Sequence, residues 1–229
     1  MNAPNLELEN NLIKQGYKMI AGVDEVGRGP LAGPIVASAV ILNLKGSDPL
    51  GSAPYLSLIR DSKKLSPKIR TELDVKIRET ALSIGVGVVE TDVIDRIGIG
   101  KANKLAFLLA LANLKVAPTF IITDYLKLTS SDICLFRLLK LPRTPNITPL
   151  LKNQMNIKFG DAVSISIAAA SIIAKVHRDK MMGDLHTKYP EYGFNRHKGY
   201  GTREHLEALK IYGPCAIHRK SFSPIRQSK

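Results

Sequence analysis

The stretch MIAGVDEVGRGPLAGPIVASAVIL, residues 19–42, contains two apolar runs joined by a glycine-rich connection. The first run, 19–23, is short and ends at Asp24 and Glu25, which is typical of a buried strand. The second run, 35–42, is too continuous for a strand with one face in water. Because the connection is tight, the two strands are predicted to be antiparallel neighbours in one sheet.

Helical and strand patterns alternate along the rest of the chain. Ser66 and Pro67 are a typical helix start, and apolar residues at helical spacing continue to Leu82. Further strands are predicted at 84–89, 119–123 and 156–159, and further helices at 101–114, 162–182 and from 202 to a stop at 213–214. Residues 125–154 are predicted to form a long basic loop with one helical piece around 133–139. This order predicts an α/β fold, a mixed five-stranded sheet with helices on both faces and a C-terminal helical extension.

Basic residues are distributed unevenly. The chain has 33 Lys and Arg against 20 Asp and Glu, a net charge of +13. Residues 1–125 carry a net charge of +2, and residues 126–229 carry +11. A basic half of this kind suggests a polyanionic partner, most simply nucleic acid. The alternative is a soluble basic protein without such a partner.

Composition excludes several other classes. Hydrophobic residues make up 45% of the chain, which favours a packed core over disorder. No apolar run is long enough to span a membrane, and residues 1–11 resemble neither a secretory signal nor a transit peptide. Cys134 and Cys215 form no zinc or disulfide pattern, and we expect them to be buried or half-buried in a reducing cytoplasm.

Acidic residues follow several of the apolar segments. Each of the four stands where a buried strand or apolar segment reaches the surface: Asp24, Glu25, Asp124 and Asp161. Carboxylates gathered there repel one another and need a cation, and hard oxygen ligands suit Mg²⁺ or Mn²⁺. Beside a polyanion, two such ions can activate water and stabilise the leaving oxygen of a phosphodiester. For Asp24 and Glu25 alone, a helix cap or an ion pair in a turn is an equal alternative.

Two neighbouring features leave alternatives open. Gly27, Arg28 and Gly29 follow the first acidic pair, and their backbone can approach a phosphate or a 2′-hydroxyl closely. A tight turn with a solvated arginine explains them equally simply. Asp179 competes with Asp161 as the fourth carboxylate, but an ion pair with Lys175 one helical turn earlier explains it without catalysis.

Five segments, in order, closely resemble the motifs of the ribonuclease HII family. They are Gly22–Pro34 (GVDEVGRGPLAGP), Asp61–Leu65 (DSKKL), Ile167–Val176 (IAAASIIAKV), His197–Thr202 (HKGYGT) and Ile217–Phe222 (IHRKSF). The resemblance extends from about Gly16 to Phe222. It departs from the family pattern at Tyr125, where the family usually has glycine, and nothing is transferred to residues 125–159.

The resemblance implies an RNase H-like fold and an endonuclease activity. The family cuts the RNA strand of RNA–DNA hybrids and nicks duplex DNA on the 5′ side of an embedded ribonucleotide, leaving 3′-hydroxyl and 5′-phosphate ends. The implied division is an N-terminal segment 1–15, a catalytic domain 16–188 and an extension 189–229 packed on the same domain. We expect a cytoplasmic monomer that binds these nucleic acids and no membrane.

The resemblance also assigns residues. The family's catalytic carboxylates, expected to bind two Mg²⁺ or Mn²⁺ ions, match Asp24, Glu25, Asp124 and Asp161. Its loop that reads the 2′-hydroxyl matches Gly27, Arg28 and Gly29. Its tyrosine that stacks on the following deoxyribose matches Tyr200, and positions that meet phosphates match Lys63 and Lys175. Apart from these assignments, the tail Ser221–Lys229 is a candidate contact for a replication or repair protein, such as a sliding clamp or a polymerase.

Two other functions compete with this interpretation. A nucleic-acid-binding protein without catalysis, such as a ribosomal protein, explains the basic half. It leaves the four carboxylates without a role, because acids that face phosphate weaken binding. Another RNase H-like nuclease, such as a resolvase, explains the acids but not the five ordered motifs. Several basic residues fall in or near the segments expected to follow the duplex backbone: Lys175, Arg196, Lys198, Arg203, Arg219 and Lys220.

Overall fold

One mixed sheet of five strands forms the centre of the structure, a computed structural model that describes residues 3–44, 54–139, 141 and 147–227. The strands are β1 (Ile20–Val26), β2 (Ile35–Ile41), β3 (Ser83–Val89), β4 (Phe120–Asp124) and β5 (Gln154–Ile157). Their order across the sheet is β3-β2-β1-β4-β5. The predicted antiparallel pair is confirmed, with Ala21 opposite Ile41 and Val26 opposite Val36. β3 is antiparallel to β2, whereas β4 and β5 run parallel to β1.

Helices cover both faces of this sheet, as predicted. The α-helices among the described residues are α1 (Glu7–Lys14), α2 (Pro67–Thr80), α3 (Thr91–Ile97), α4 (Ile99–Ala112), α5 (Cys134–Leu138), α6 (Ile165–Lys188), α7 (Phe194–His197) and α8 (Arg203–Tyr212). Ser66 and Thr202 cap α2 and α8 with their side chains. None of the helices in the described ranges is long and apolar enough to cross a membrane.

The alternation of side chains along β1 decides which residues face which helix. Ala21 and Val23 belong to the core that includes α4. Gly22 points to the other face, where α6 packs on the sheet. A Cβ on Gly22 would lie 2.2 Å from the backbone carbon of Ser166, so only glycine permits this approach. Successive residues of β1 therefore alternate between the face covered by α4 and the face covered by α6, up to the end of the strand.

The N-terminal helix α1 was not predicted, and it packs on the sheet. The Glu9 carboxylate is fully buried and accepts hydrogen bonds from Ser164 Oγ (2.6 Å) and Ser166 N (3.0 Å) at the start of α6. Leu12 packs with Ile20 and other residues of the sheet. The division of the chain at residue 15 stays a prediction.

Other elements differ from the expected ones in position. β5 begins two residues before its predicted start, because its parallel pairing with β4 sets Gln154 opposite Ile121. α3 was missed, and α6 continues to Lys188. The predicted helical piece of the basic loop is α5, but Cys134 at its start is exposed, contrary to expectation. Residues 140 and 142–146 of that loop lie outside the described residues.

Candidate active site

Asp24 and Asp124 lie side by side at one edge of the sheet. β1 and β4 are parallel, and Val23 pairs with Thr123, so the next residue of each strand is an aspartate. Asp24 is 5% exposed, and it lies on the α6 side of the sheet. Burial, together with the nearby Glu25 and Asp124 carboxylates, raises the pKa of Asp24 well above its usual value, although Ser171 of α6 lowers it somewhat. The predicted proximity of these two strand ends is thus present.

Glu25 is directed to the opposite face, towards α4. Burial raises its pKa, the Asn103 amide lowers it, and the Asp124 charge raises it again. Glu25 Oε2 is buried and has no hydrogen-bond partner among the described residues. Asn103 is 1% exposed, and neither of its side-chain polar atoms has a partner of normal geometry in the described chain. Glu25 Oε2 and the Asn103 amide are therefore both buried near the end of β1 without a hydrogen bond of normal geometry among the described residues.

Asp161 joins the same edge through a tight turn. The 3-10 turn Gly160–Ala162 follows β5, and the Gly160 N–H donates to Asp124 Oδ1 over 2.8 Å. Burial and the nearby Asp61 and Asp124 carboxylates raise the pKa of Asp161. This turn lies between a strand and α6, as the sequence predicted.

Asp179, the rival fourth carboxylate, is occupied elsewhere. It accepts from Lys175 Nζ at 2.6 Å and pairs with Arg70 at 3.3 Å. These two ion pairs give Asp179 a structural role, whereas the turn that carries Asp161 is bonded to Asp124. The predicted pair between Lys175 and Asp179 is therefore present.

Lys63 is a basic side chain beside this acidic edge, which consists of the carboxylates of Asp24, Glu25, Asp124 and Asp161. It lies on the 3-10 turn Ser62–Lys64, where the Asp61 carboxylate accepts from the Lys63 N–H at 3.0 Å. Burial lowers the pKa of Lys63, but the carboxylates of Asp61, Asp161 and Asp24 outweigh that effect and raise it. Lys63 therefore stays positively charged at the rim of the acidic edge.

The donor set suits a hard divalent cation. All the acidic side chains at this edge offer oxygen, and the unpartnered Glu25 Oε2 is a ready ligand atom. Among the described residues, no three carboxylate, imidazole or thiol groups are already gathered closely enough to enclose one ion. Burial, and after it repulsion from neighbouring carboxylates, raises the pKa of Asp24, Glu25 and Asp161, and a bound cation would stabilise their charged forms against both effects. The residues present therefore fit Mg²⁺ or Mn²⁺.

The glycine–arginine–glycine loop is clamped at its base and open at its tip. Gly27 has a φ of +91°, and a Cβ there would lie 2.2 Å from Arg178 Nε. The fully buried Arg219 donates to the carbonyls of Gly27 (2.5 Å), Arg28 (3.0 Å) and Gly33 (2.8 and 3.0 Å). The Arg28 side chain and Gly29 remain exposed. Arg219 thus holds the loop from inside, with its side chain fully buried, although it lies in a segment expected to follow the duplex backbone.

Tyr200 lies next to this loop. It is 41% exposed, and its ring comes within 3.9 Å of the position that a Cβ on Gly29 would take. Arg178 of α6 ties the two segments together, because it donates to Pro34 O (2.9 Å), Ala32 O (3.1 Å) and Lys198 O (3.0 Å). The predicted recognition residues Gly29 and Tyr200 therefore form one surface beside the acidic edge.

Lys175 differs from the other predicted contacts. Its Nζ is half-buried and bonded to Asp179, and burial lowers its pKa despite that partner. An approaching phosphate would have to compete with Asp179 for this ammonium group. Its assignment to a phosphate stays a prediction.

Sequence reasoning missed four residues that shape the site: Asp61, Asn103, Arg178 and Arg219. Asp61 lay in a matched segment and received no role, and Arg219 was noted only as one of several basic residues in or near the segments expected to follow the duplex. Asn103 gave a weak signal, as a polar residue within an apolar helix. Arg178 gave none, because its carbonyl partners come from segments about 20 and about 145 residues away.

Comparison with known proteins decides the family. The ribonuclease HII family model matches residues 21–225. The chain belongs to the ribonuclease HII family. Ribonuclease HII of Chlamydia trachomatis serovar D is 49% identical over 221 residues, covering 96% of this chain and 89% of its own. That of Acholeplasma laidlawii is 48% identical, covering 98% and 97%.

Solved structures agree with this assignment. The ribonuclease H2 of Pyrococcus horikoshii superposes with a TM-score of 0.69 at 27% identity, covering 92% of this chain and 96% of its own. The RNase HII of Archaeoglobus fulgidus, solved in a complex with PCNA, has a TM-score of 0.67 at 28% identity, covering 90% and 95%. The fold is thus that of ribonuclease HII, and the chain is a metal-dependent endoribonuclease that acts on RNA–DNA hybrids.

Proposed function

We propose that this ribonuclease HII hydrolyses phosphodiesters with two divalent ions held at the acidic edge. The proposed ligands are Asp24, Glu25, Asp124 and Asp161. The observation that carries the proposal is the meeting of Asp24 and Asp124 at parallel strand ends, with Gly160 bonded to Asp124 beside them. All four positions also match the family's catalytic carboxylates.

The chemistry is divided between the ions and the side chains. When bound, Mg²⁺ or Mn²⁺ supplies activation of water for in-line attack on phosphorus and stabilises the charge on the departing 3′ oxygen. The four carboxylates would hold the ions, whose positive charge would offset the repulsion between these acids and the phosphate. Lys63 stays charged at the rim and binds a phosphate oxygen, which positions the strand over the edge. Cleavage leaves 3′-hydroxyl and 5′-phosphate ends.

Recognition of the ribonucleotide is assigned to the adjoining surface. We propose that the backbone of Gly27, Arg28 and Gly29 reads the 2′-hydroxyl, and that Tyr200 stacks on the following deoxyribose. The exposed tip of the loop and the exposed tyrosine ring lie next to each other, which supports this division. The enzyme would then nick duplex DNA on the 5′ side of a single ribonucleotide, as well as cutting hybrids. Lys175 is proposed to meet a more distant phosphate.

The C-terminal tail is proposed as a contact for a sliding clamp. The Archaeoglobus relative was solved with PCNA, and in this chain residues 225–227 form a 3-10 turn after Phe222. Residues 228–229 lie outside the described part. A monomer in the cytoplasm remains the expected state, with Cys134 and Cys215 as free thiols.

The deciding experiment uses a DNA duplex that carries one ribonucleotide. Wild type with Mg²⁺ or Mn²⁺ should nick it on the 5′ side of that ribonucleotide, and Asp24→Asn should not. Asp161→Asn should also be inactive, whereas Asp179→Asn, the matched control on α6, should keep measurable cleavage. An intact duplex with wild type, or equal cutting by Asp24→Asn, would refute the proposal. Equal loss of cleavage in Asp161→Asn and Asp179→Asn would remove the distinction between these two acids.

A further inference from the structure

Three buried histidines form a connected group in the C-terminal region. His197, His205 and His218 are 9%, 0% and 1% exposed. The rings of His197 and His205 are stacked with centroids 4.6 Å apart, and those of His205 and His218 are 5.2 Å apart. Phe194 packs against all three. None of them reaches the acidic edge, so the proposed hydrolysis does not use them directly.

The hydrogen bonds of this group run in one direction. The Cys215 N–H donates to His218 Nδ1 at 2.9 Å, so the proton of His218 is on Nε2. His218 Nε2 lies 2.9 Å from His205 Nε2, which must then accept. The proton of His205 is therefore on Nδ1, which donates to the Tyr200 carbonyl at 2.9 Å. The chain of bonds begins at Cys215 and ends on Tyr200.

The imidazole rings of His205 and His218 are both neutral. A protonated His218 would direct a second N–H at the Cys215 N–H, which already occupies Nδ1. Burial and the neighbouring His205 lower the pKa of His218 to about 4, and burial lowers that of His205. The direction of the chain is therefore fixed at neutral pH.

His197 supports Tyr200 at its backbone N–H, opposite the carbonyl that His205 contacts. Its backbone carbonyl accepts from the Tyr200 N–H at 3.0 Å. Its Nε2 lies 2.7 Å from the Tyr192 carbonyl, and its Nδ1 accepts from the Gly199 N–H at 3.2 Å. The backbone of Tyr200 is thus fixed at both its N–H and its C=O, while its ring stays exposed beside Gly29. The Tyr200 carbonyl also accepts from the Thr202 N–H at 2.8 Å, so His205 is the side chain that adds to the turn's own backbone bonds at this carbonyl.

We propose that His205, held in its tautomer by His218, is a positioning residue that sets the orientation of Tyr200 against the nucleic acid. The inference rests on the proposed function of Tyr200 in binding the deoxyribose that follows the ribonucleotide. The competing explanation is that the histidines only stabilise the C-terminal region. The two differ in one respect, because a purely structural effect on cleavage does not depend on the Tyr200 ring.

Two substitutions each remove one of the two side-chain hydrogen bonds of His205. Asn places its amide near the Nδ1 position, so His205→Asn retains a donor for the Tyr200 carbonyl and loses the bond to His218. Gln reaches the Nε2 position, so His205→Gln retains the bond to His218 and loses the one to Tyr200. Cleavage of the single-ribonucleotide duplex should fall about tenfold in His205→Gln, since misplacement by about 1 Å costs up to about 100-fold. It should fall less than about threefold in His205→Asn.

A double-mutant cycle decides between the explanations. His205→Gln is measured in wild type and in Tyr200→Ala, with kcat and KM obtained separately. In the Tyr200→Ala background the substitution should change kcat by less than about twofold, because no ring is left to position. A tenfold fall in both backgrounds would overturn the proposal, and so would no fall in either. His177→Gln on α6 lies outside this series of hydrogen bonds and should leave kcat unchanged in both backgrounds.

Folding is monitored for every variant by its melting temperature. If His205→Gln does not fold, His218→Asn takes its place, because it breaks the chain one step farther from Tyr200 and should give a smaller effect with the same dependence on Tyr200. Wild type that leaves the ribonucleotide duplex intact would refute the proposed function itself. Wild type that cuts it, with additive effects in the cycle, would refute only the role of His205.

Discussion

The Gly160 N–H donates to Asp124 Oδ1 over 2.8 Å, and this bond joins the turn that carries Asp161 to the strand that carries Asp124. The residues on either side, Tyr125 and Phe159, both have a φ of +58°, which is rare for aromatic residues. Both are also exposed. The backbone is therefore held in an uncommon conformation around the two acids, as is often seen at functional sites.

The bond from Gly160 allows the charge of Asp124 to be separated from its structural role. Asp124→Asn retains an oxygen that can accept from Gly160, so its melting temperature should stay close to that of wild type. Its cleavage should fall more than about 100-fold, because even residues behind a metal ligand contribute about 10–100-fold. Asp124→Leu should lose both activity and stability. Thermal denaturation and a cleavage assay on an RNA–DNA hybrid check this, and an active Asp124→Asn would exclude Asp124 as a ligand.

The raised pKa of Asp24 predicts a pH-dependent stability without added metal. The folded state holds the Asp24 proton more tightly than the unfolded chain, so the free energy of unfolding decreases as the pH rises above the usual range of an aspartate. Asp24→Asn has no such penalty. In the presence of EDTA, the variant should therefore melt above wild type at neutral pH, with the difference disappearing in acid. Mg²⁺ or Mn²⁺ should raise the melting temperature of wild type more than that of Asp24→Asn.

Asn103→Leu should increase the stability of the protein and shift the acid limb of its activity to higher pH. The substitution removes two buried polar atoms that have no partner of normal geometry within the described residues, and each such atom costs about 1–3 kcal/mol. The melting temperature should rise. Loss of the amide also raises the pKa of Glu25 further, so the acid limb of the cleavage profile should move to higher pH. Ala106→Ser, one turn along α4, serves as a control for disturbance of the helix, and an unchanged acid limb in Asn103→Leu would separate Asn103 from Glu25.

Local patterns predicted the sheet and its principal helices well. The two apolar runs of residues 19–42 determined β1 and β2, and their tight connection determined their antiparallel pairing. The position of Asp24 and Asp124 followed from the same reasoning, because strand ends are visible in the sequence. These features depend on neighbours along the chain.

The supporting residues depend on distant partners, and they could not be predicted. Arg219 binds carbonyls of a loop about 190 residues earlier, and Glu9 binds the start of a helix about 155 residues later. Neither contact leaves a periodic pattern. A buried arginine and an exposed one look identical in a sequence, so the burial of Arg219 could not be predicted.

Arg219→Met should loosen the glycine–arginine–glycine loop. The change leaves buried carbonyls, including that of Gly27, without donors, at about 1–3 kcal/mol each. The free energy of unfolding should fall by at least about 3 kcal/mol in urea denaturation. Arg219→Lys, which keeps the charge but not the fork of donors, should lie between Met and wild type. A Met variant as stable as wild type would show that the loop is held by other contacts.

Glu9 tests whether α1 belongs to the folded domain. Its carboxylate binds Ser164 Oγ and the Ser166 N–H at the N-terminus of α6, where a negative charge also interacts favourably with the helix dipole. Glu9→Gln keeps an acceptor and loses the charge, so it should lower the free energy of unfolding by about 1 kcal/mol. Glu9→Leu loses both and should lower it by about 2–3 kcal/mol, because a buried N–H is left without an acceptor. Glu7→Gln, at the exposed start of the same helix, should have little effect. Equal stability of all three variants in urea denaturation would mean that residues 1–15 are a separate segment, as the sequence first suggested.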